Sequence, residues 1–192
     1  MTSLSLQNLS FSYQGKCILQ DFSLTISAGT HLALMGPSGS GKTTLLRLIA
    51  GLERPSSGVI TGLPPQGLSM VFQEDRLIPS LSVLENIRLP QRELSRPQVL
   101  ALLAELGLEQ EADSLPRALS GGMNRRVSIA RAMACRRELY LLDEPFKGLD
   151  VQTKSLTMNF VQRHTAGKTL LMVTHDTAEA AYMGMEIFDF CK

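Results

Sequence analysis

The stretch GPSGSGKT (36–43) constrains this chain more than any other. Three glycines, two serines and a proline lead into a lysine and a threonine, directly after the apolar run HLALM (31–35). The run LLRLIAG follows and reads as a helix stopped by Gly51. A polar loop between a short buried strand and a helix matches G-x-x-x-x-G-K-[ST] at Gly36, Gly41, Lys42 and Thr43. Glycines let the backbone turn tightly, so that successive N–H groups point at phosphate oxygens from a helix start. Gly36, Pro37, Ser38, Gly39, Ser40, Gly41, Lys42, Thr43 and Thr44 therefore form the candidate nucleotide cradle. Lys42 would reach the β- and γ-phosphates, and the Thr43 hydroxyl would ligate Mg²⁺. Average residue frequencies give a chance match roughly once in a hundred chains of this length. The strand before it and the helix after it make chance rarer still.

The rest of the chain reads as α/β. Leu4, Leu6, Leu9 and Phe11 suggest an extended start, and Phe22, Leu24 and Ile26 alternate with Ser23, Thr25 and Ser27 as in a half-buried strand. SMVFQ (69–73), LYLL (139–142), TLLMVT (169–174) and the weaker EIFDF (186–190) are further strand candidates. Between them, from Glu74 to Arg137, the pattern is mostly helical. Val99, Leu102, Leu103 and Leu106 fall at helical spacing between Pro97 and Gly107, and a second helix is expected from Gly122 to Ala134. Strands alternating with helices imply a largely parallel sheet, and the helical middle reads as an insertion because strands resume after it.

Bulk properties narrow the function classes. With 192 residues, 44% hydrophobic and 19% charged, one packed domain is expected. A net charge of +1 gives no electrostatic case for nucleic acid, so none is expected as a partner. The pairs Arg125-Arg126 and Arg136-Arg137 read as solvated helix faces. Cys17, Cys135 and Cys191, odd in number and without a CxxC, suggest reduced cytosolic thiols. The first twenty residues lack the pattern of a signal peptide, and no apolar run approaches the ~20 residues that cross a bilayer.

LYLLDEP (139–145) carries Asp143 and Glu144 to the end of a strand, where open α/β sheets bind ligands. In phosphate-loop proteins an aspartate there holds Mg²⁺, and Glu144 is placed to accept a proton from an attacking water. A capping acidic pair before Pro145 is the alternative, which the phosphate loop disfavours.

ALSGGMNRR (118–126) puts two glycines after a serine at a second predicted helix start, another anion-binding N-terminus. Here the sequence resembles the ATP-binding-cassette (ABC) ATPases, whose signature is LSGGQ. Leu119, Ser120, Gly121 and Gly122 match, with Met123 in place of the usual glutamine. The resemblance covers nearly the whole chain. Tyr13 falls where the family stacks an aromatic on adenine, and Gln73, in VFQEDRLIPSLSVLENI, resembles the glutamine that touches Mg²⁺ or water and senses the membrane partner. KGLD (147–150) resembles the D-loop, with Lys147 and Gly148 replacing its usual serine and alanine. His175, in MVTHD, resembles the switch histidine at the γ-phosphate.

The resemblance implies an RecA-like P-loop core, about 1–73 and 136–192, with an N-terminal antiparallel β portion and a helical subdomain at about 74–135. It implies ATP and Mg²⁺ as cofactors, with Ser120, Gly121 and Gly122 acting on the nucleotide of a second ATPase subunit in a homodimer or heterodimer. Hydrolysis would use Glu144 on water, with His175 and Lys42 stabilising γ-phosphate charge and Thr43, Gln73 and Asp143 around the metal. The expected role is the ATPase subunit of a membrane transporter, an importer by its glutamine-loop region, cytoplasmic and docked on separate permease subunits. An extracytoplasmic substrate-binding protein is a further partner the family allows. Leu77, Ile78, Leu81 and Leu84 would lie at the permease surface or in the core of the helical subdomain. A soluble ABC mechano-ATPase acting on nucleic acid or ribosome is the alternative. A small-molecule kinase would leave LSGGM and His175 unexplained.

Overall fold

The computed structural model describes residues 3–190, so Cys191 lies outside the described residues. The chain divides into two compact units, one of Met1–Met70, Arg137–Asp143 and Gly167–Lys192, the other of Val71–Arg136 and Glu144–Ala166.

The first unit opens with an antiparallel hairpin of β1 (Leu4–Tyr13) and β2 (Lys16–Ile26). Its two-residue turn is Gln14-Gly15, both at positive φ (48° and 82°), the geometry that matches strand twist. β3 (His31–Met35), α1 (Lys42–Ile49) and β4 (Ser57–Thr61) follow. β4 pairs antiparallel with β1, giving the sheet order β2-β1-β4. This strand has no strong sequence signal because it carries Gly58, and glycine weakens a strand pattern. The structure supplies the reason for the glycine: a Cβ there would sit 2.4 Å from the Asn8 carbonyl oxygen.

The second sheet has the order β5-β6-β7-β3-β8, with β5 (Ser69–Val71), β6 (Leu139–Asp143), β7 (Thr169–Val173) and β8 (Glu186–Asp189). The pairs β6–β7, β7–β3 and β3–β8 are parallel, as the alternating pattern predicts. Every residue of β6 and β7 is buried, which is why LYLL in β6 and LLMV in β7 read as apolar runs. Leu45, Leu46 and Ile49 of α1 join Leu32, Leu34, Leu141 and Leu171 in one core with the hairpin's Leu4, Leu6 and Leu9. The short helix α6 (Thr177–Tyr182) precedes β8.

The second unit is helical: α2 (Val83–Arg88), α3 (Arg96–Glu105), α4 (Gly121–Ala134) and α5 (Val151–Thr165). α4 packs against the other three. Ser82 and Glu85 form a reciprocal capping box on α2, legible as S-x-x-E, and Asp150 caps α5 by accepting from the Thr153 N–H at 3.0 Å. Leu84 belongs to the core, while Ile78 is exposed and Leu77 and Leu81 are half-buried. Asn86 is fully buried and organises the segment before α2. Its side chain accepts from the Ile78 N–H and donates to the carbonyls of Ile78, Leu81 and Ser82. Among the described residues no helix is long and apolar enough to cross a membrane.

Candidate functional site

The first unit lines up the ends of its parallel strands. Leu34 pairs with Val173, and Val173 pairs with Asp143, so the loop after Met35, the turn at Thr174–His175 and Asp143 share one edge of the sheet. That carboxyl edge is where α/β sheets take ligands. The loop from Gly36 to Gly41 runs through positive φ at Gly36 (144°), Gly39 (81°) and Gly41 (100°). At Gly41 the need is twofold, since a Cβ would also lie 3.2 Å from Ile18 Cγ2, from the Ile18 carbonyl oxygen and from Leu19 Cδ2. Gly41 is the N-cap of α1, and neither a capping side chain nor an acidic residue occupies the first turn. The N–H groups that open a helix are thereby left for an anion.

Lys42 is 5% exposed, and its ammonium donates to the carbonyls of Gly36 (2.9 Å) and Pro37 (2.6 Å) and to Ser40 Oγ (3.2 Å). The lysine thus lies folded along the loop it belongs to, with Thr43 and Thr44 half-buried behind it. Asp143 is 2% exposed at the end of β6. A hydroxyl from Thr43 and a carboxylate from Asp143 are hard oxygen donors of the kind Mg²⁺ takes alongside nucleotide phosphates. No group of three or more His, Cys, Asp or Glu that could hold a metal gathers among the described residues. A phosphate-borne Mg²⁺ needs only one or two protein oxygens, so this donor set fits that ion.

His175 is exposed, and its place is set by neighbours that carry no recognisable motif. Thr174 is buried, donates from Oγ1 to Glu179 Oε2 at 2.6 Å and accepts from the Asp176 N–H. Asp176 in turn caps α6 by accepting from the Ala178 N–H. Tyr13 ends β1 with 59% of its surface exposed, available for stacking.

The second unit holds Gln73, Glu144 and the LSGG segment. Ser120 is the N-cap of α4, its Oγ accepting from the Met123 N–H at 3.2 Å, and Gly121 and Gly122 open the helix. Glu144 adopts φ 45°, a left-handed conformation that non-glycine residues avoid. Its Oε2 accepts from Lys147 Nζ at 2.7 Å. Gln73 is exposed.

Both of these residues meet a side chain that the sequence reading placed in solvent. Arg125 is not on a solvated face: it is 5% exposed, and its guanidinium donates to the carbonyls of Phe72, Gln73, Glu144 and Pro145. Arg126 is also drawn in, donating to the Leu106 carbonyl at 2.5 Å. Arg131, one helical turn and a half further on, donates to the carbonyls of Asp75 and Arg76, and burial lowers its pKa while the Asp75 charge opposes that shift. Arg136 is exposed as expected, while Arg137 donates to the Gln66 carbonyl. No sequence signal distinguishes Arg125 from a solvated arginine, because its partners are 19 to 53 positions away.

Several known proteins are similar to this chain. The family model described as ABC transporter matches residues 19–147. The aliphatic sulfonates import ATP-binding protein SsuB 1 of Nocardia farcinica is 45% identical over 184 residues, covering 93% of this chain and 74% of that protein. SsuB of Shigella sonnei is 42% identical over 192 residues, covering 95% and 74%. Among solved structures, a dimeric post-hydrolysis state of an ATP-binding cassette bound to ADP and Pi is 32% identical with a TM-score of 0.84, covering 97% of this chain and 93% of that one. A bacterial Atm1-family ABC exporter with ATP bound has a TM-score of 0.87 at 26% identity, covering 94% of this chain and 36% of that one.

Proposed function

This chain belongs to the ABC transporter family, as an ATP-binding subunit with ATPase activity, and on that premise we propose how its residues power a membrane importer. The observation that carries the reading is the uncapped N-terminus of α1, with Lys42 folded along a loop that only glycine can close. Backbone N–H groups and the Lys42 ammonium bind the phosphates of ATP, and Tyr13 stacks on the base. Thr43, Asp143 and Gln73 would hold Mg²⁺, which would supply charge neutralisation at the phosphate oxygens. Glu144 takes a proton from the attacking water, and His175 and Lys42 stabilise the charge that develops on the transferred group.

Ser120, Gly121 and Gly122 serve the nucleotide of a second ATPase subunit, so that two composite sites close on two ATP molecules. Closure and reopening then form a ligand-driven two-state switch. The force is delivered to separate permease subunits on the cytoplasmic face, with an extracytoplasmic binding protein supplying cargo. Alkyl sulfonates are the first cargo class to test, because the similar SsuB proteins carry that name. None of these relatives supports the soluble mechano-ATPase alternative.

The test is Glu144→Gln, which keeps the side chain's shape and removes its basicity. Turnover falls by about 10²-fold or more while ATP binding stays within about twofold, the general-base range. The tagged variant, captured with ATP and Mg²⁺ after mild detergent extraction, retains a polytopic membrane protein at near-stoichiometric yield. Turnover within twofold of the parent would remove Glu144 from the role of base. Soluble partners alone, from protein shown to bind ATP, would overturn the importer reading.

A further inference from the structure

We infer that Arg125 is a positioning residue for hydrolysis, its guanidinium tying the backbone of Glu144 to the backbone of Phe72 and Gln73. The inference rests on the reading of Glu144 as the base. Four carbonyls converge on this one side chain: Nε donates to Pro145 at 2.8 Å, Nη2 to Glu144 at 2.7 Å, and Nη1 to Phe72 at 2.6 Å and Gln73 at 3.3 Å. Nη1 also lies 3.2 Å from Asp75 Oδ1, an ion pair in which the arginine side chain is 6% exposed and the aspartate 29%. A buried cation held by dipoles from two separate segments fixes those segments relative to each other. The planar fork of arginine supplies donors in several directions at once, which a lysine ammonium on a flexible stem does not reproduce.

What the fork holds is the reason to assign it to chemistry. Glu144 is at φ 45°, a conformation that a residue with a Cβ keeps only where its surroundings over-determine it. The Glu144 carbonyl is fastened by Arg125, so the direction in which the side chain leaves the backbone depends on that contact, while its carboxylate accepts from Lys147. On the same guanidinium, the Phe72 and Gln73 carbonyls anchor the segment that bears the metal-side glutamine. A shift of the Gln73 segment is therefore transmitted to the backbone of the base through a single rigid group, itself on the helix that begins with Ser120 and Gly121. General-base catalysis is steep in geometry, so loosening this tie lowers the rate of the chemical step more than the binding of ATP.

The experiment measures kcat, KM and ATP affinity for Arg125→Lys and Arg125→Met, at a temperature well below the melting point of each. Arg131→Met is the control: it removes a half-buried guanidinium from the same helix, one that holds the carbonyls of Asp75 and Arg76 and none of Phe72, Gln73, Glu144 or Pro145. The Arg125 variants lose about tenfold to 10²-fold in kcat with KM and affinity within about twofold, whereas Arg131→Met lowers the melting temperature and leaves kcat within about twofold. In a Glu144→Gln background the Arg125 substitutions add no further loss, since the group they position no longer acts as a base. Should Arg125→Met not fold, Arg125→Lys, which keeps the charge, carries the comparison. A kcat within twofold of the parent for Arg125→Lys overturns the inference, as does an undiminished further loss in the Glu144→Gln background. If Glu144→Gln alone leaves turnover intact, the assignment of the base fails, and that result is separate from the behaviour of Arg125.

Discussion

Two helices in this chain begin with glycine and serine, and they are built for opposite purposes. α1 starts at Gly41, held at φ 100° against Ile18 and Leu19, so the residue's missing side chain is required by its own chain. α4 starts after Ser120, and a Cβ on Gly121 would meet nothing within 4 Å at a backbone angle any residue adopts. Helix propensity favours alanine over glycine by about 1 kcal/mol, so Gly121 costs the helix and relieves no contact within the described chain. The end of α1 has a lysine, a threonine hydroxyl and, at the same sheet edge, an aspartate; the end of α4 has only backbone dipoles and a hydroxyl that is already capping. On the proposed function, one is a full cradle and the other half of one completed by a second subunit's nucleotide.

Substitutions at the two ends test this contrast, the severest first. Lys42→Met removes the phosphate-facing charge and drops ATPase activity by about 10³-fold, the scale of losing a preorganised electrostatic group. Gly41→Ala at the same end loses nucleotide affinity and also stability, by about 1–3 kcal/mol for a strained backbone, read by thermal denaturation. At the other end Gly121→Asp separates these effects. An acidic residue in the first turn of a helix is favourable by about 0.3–1 kcal/mol, so the melting temperature holds or rises. Steady-state turnover nevertheless falls at least about tenfold, because the new charge opposes the partner's phosphates, while equilibrium ATP binding to the monomer is unchanged. A turnover equal to the parent's would mean that the two helix ends do not share a nucleotide.

Smaller effects follow for the residues between these ends. Lys147 is two-thirds exposed, and an exposed ion pair contributes about 0.2–1 kcal/mol. Lys147→Ala releases the Glu144 carboxylate from this ion pair and raises the basal rate by about 1.4-fold to fivefold, with the melting temperature lowered by about 4 °C at most. A lower rate would show that Lys147 orients the base rather than restraining it. The least effect is at Asp150, whose pKa is lowered by its hydrogen bonds with Thr153. A depressed carboxylate contributes stability above its unfolded pKa and loses it as pH falls through the folded one. The gap in melting temperature between the parent and Asp150→Ala is therefore constant from pH 7 to about pH 5 and closes below the ordinary aspartate range of about 3.9. A gap that persists in acid would assign the cap to something other than the carboxylate charge.

Much of this was legible in the linear sequence, for local reasons. HLALM, LYLLD and TLLMV are strands whose central residues are buried on both faces, and such stretches are apolar. The loop at 36–43 is equally explicit, because its backbone angles at Gly36, Gly39 and Gly41 favour glycine. β4 was obscured by the same chemistry working in reverse: Gly58 looks like a strand breaker until the Asn8 carbonyl is seen 2.4 Å from where a side chain would begin.

By itself the sequence determined the parallel-sheet core, the glycine-rich loop before α1, and the order of Gln73, Ser120, Asp143, Glu144 and His175 along the chain, all of which follow from patterns within a few residues. Only the tertiary structure decided what Arg125 does. Two adjacent arginines on a helix read the same whether they face water or four carbonyls, and the choice is made by segments 19 to 53 positions away. A buried guanidinium is tolerable only when its donors are satisfied, and satisfaction is a property of the packed fold, not of neighbouring letters.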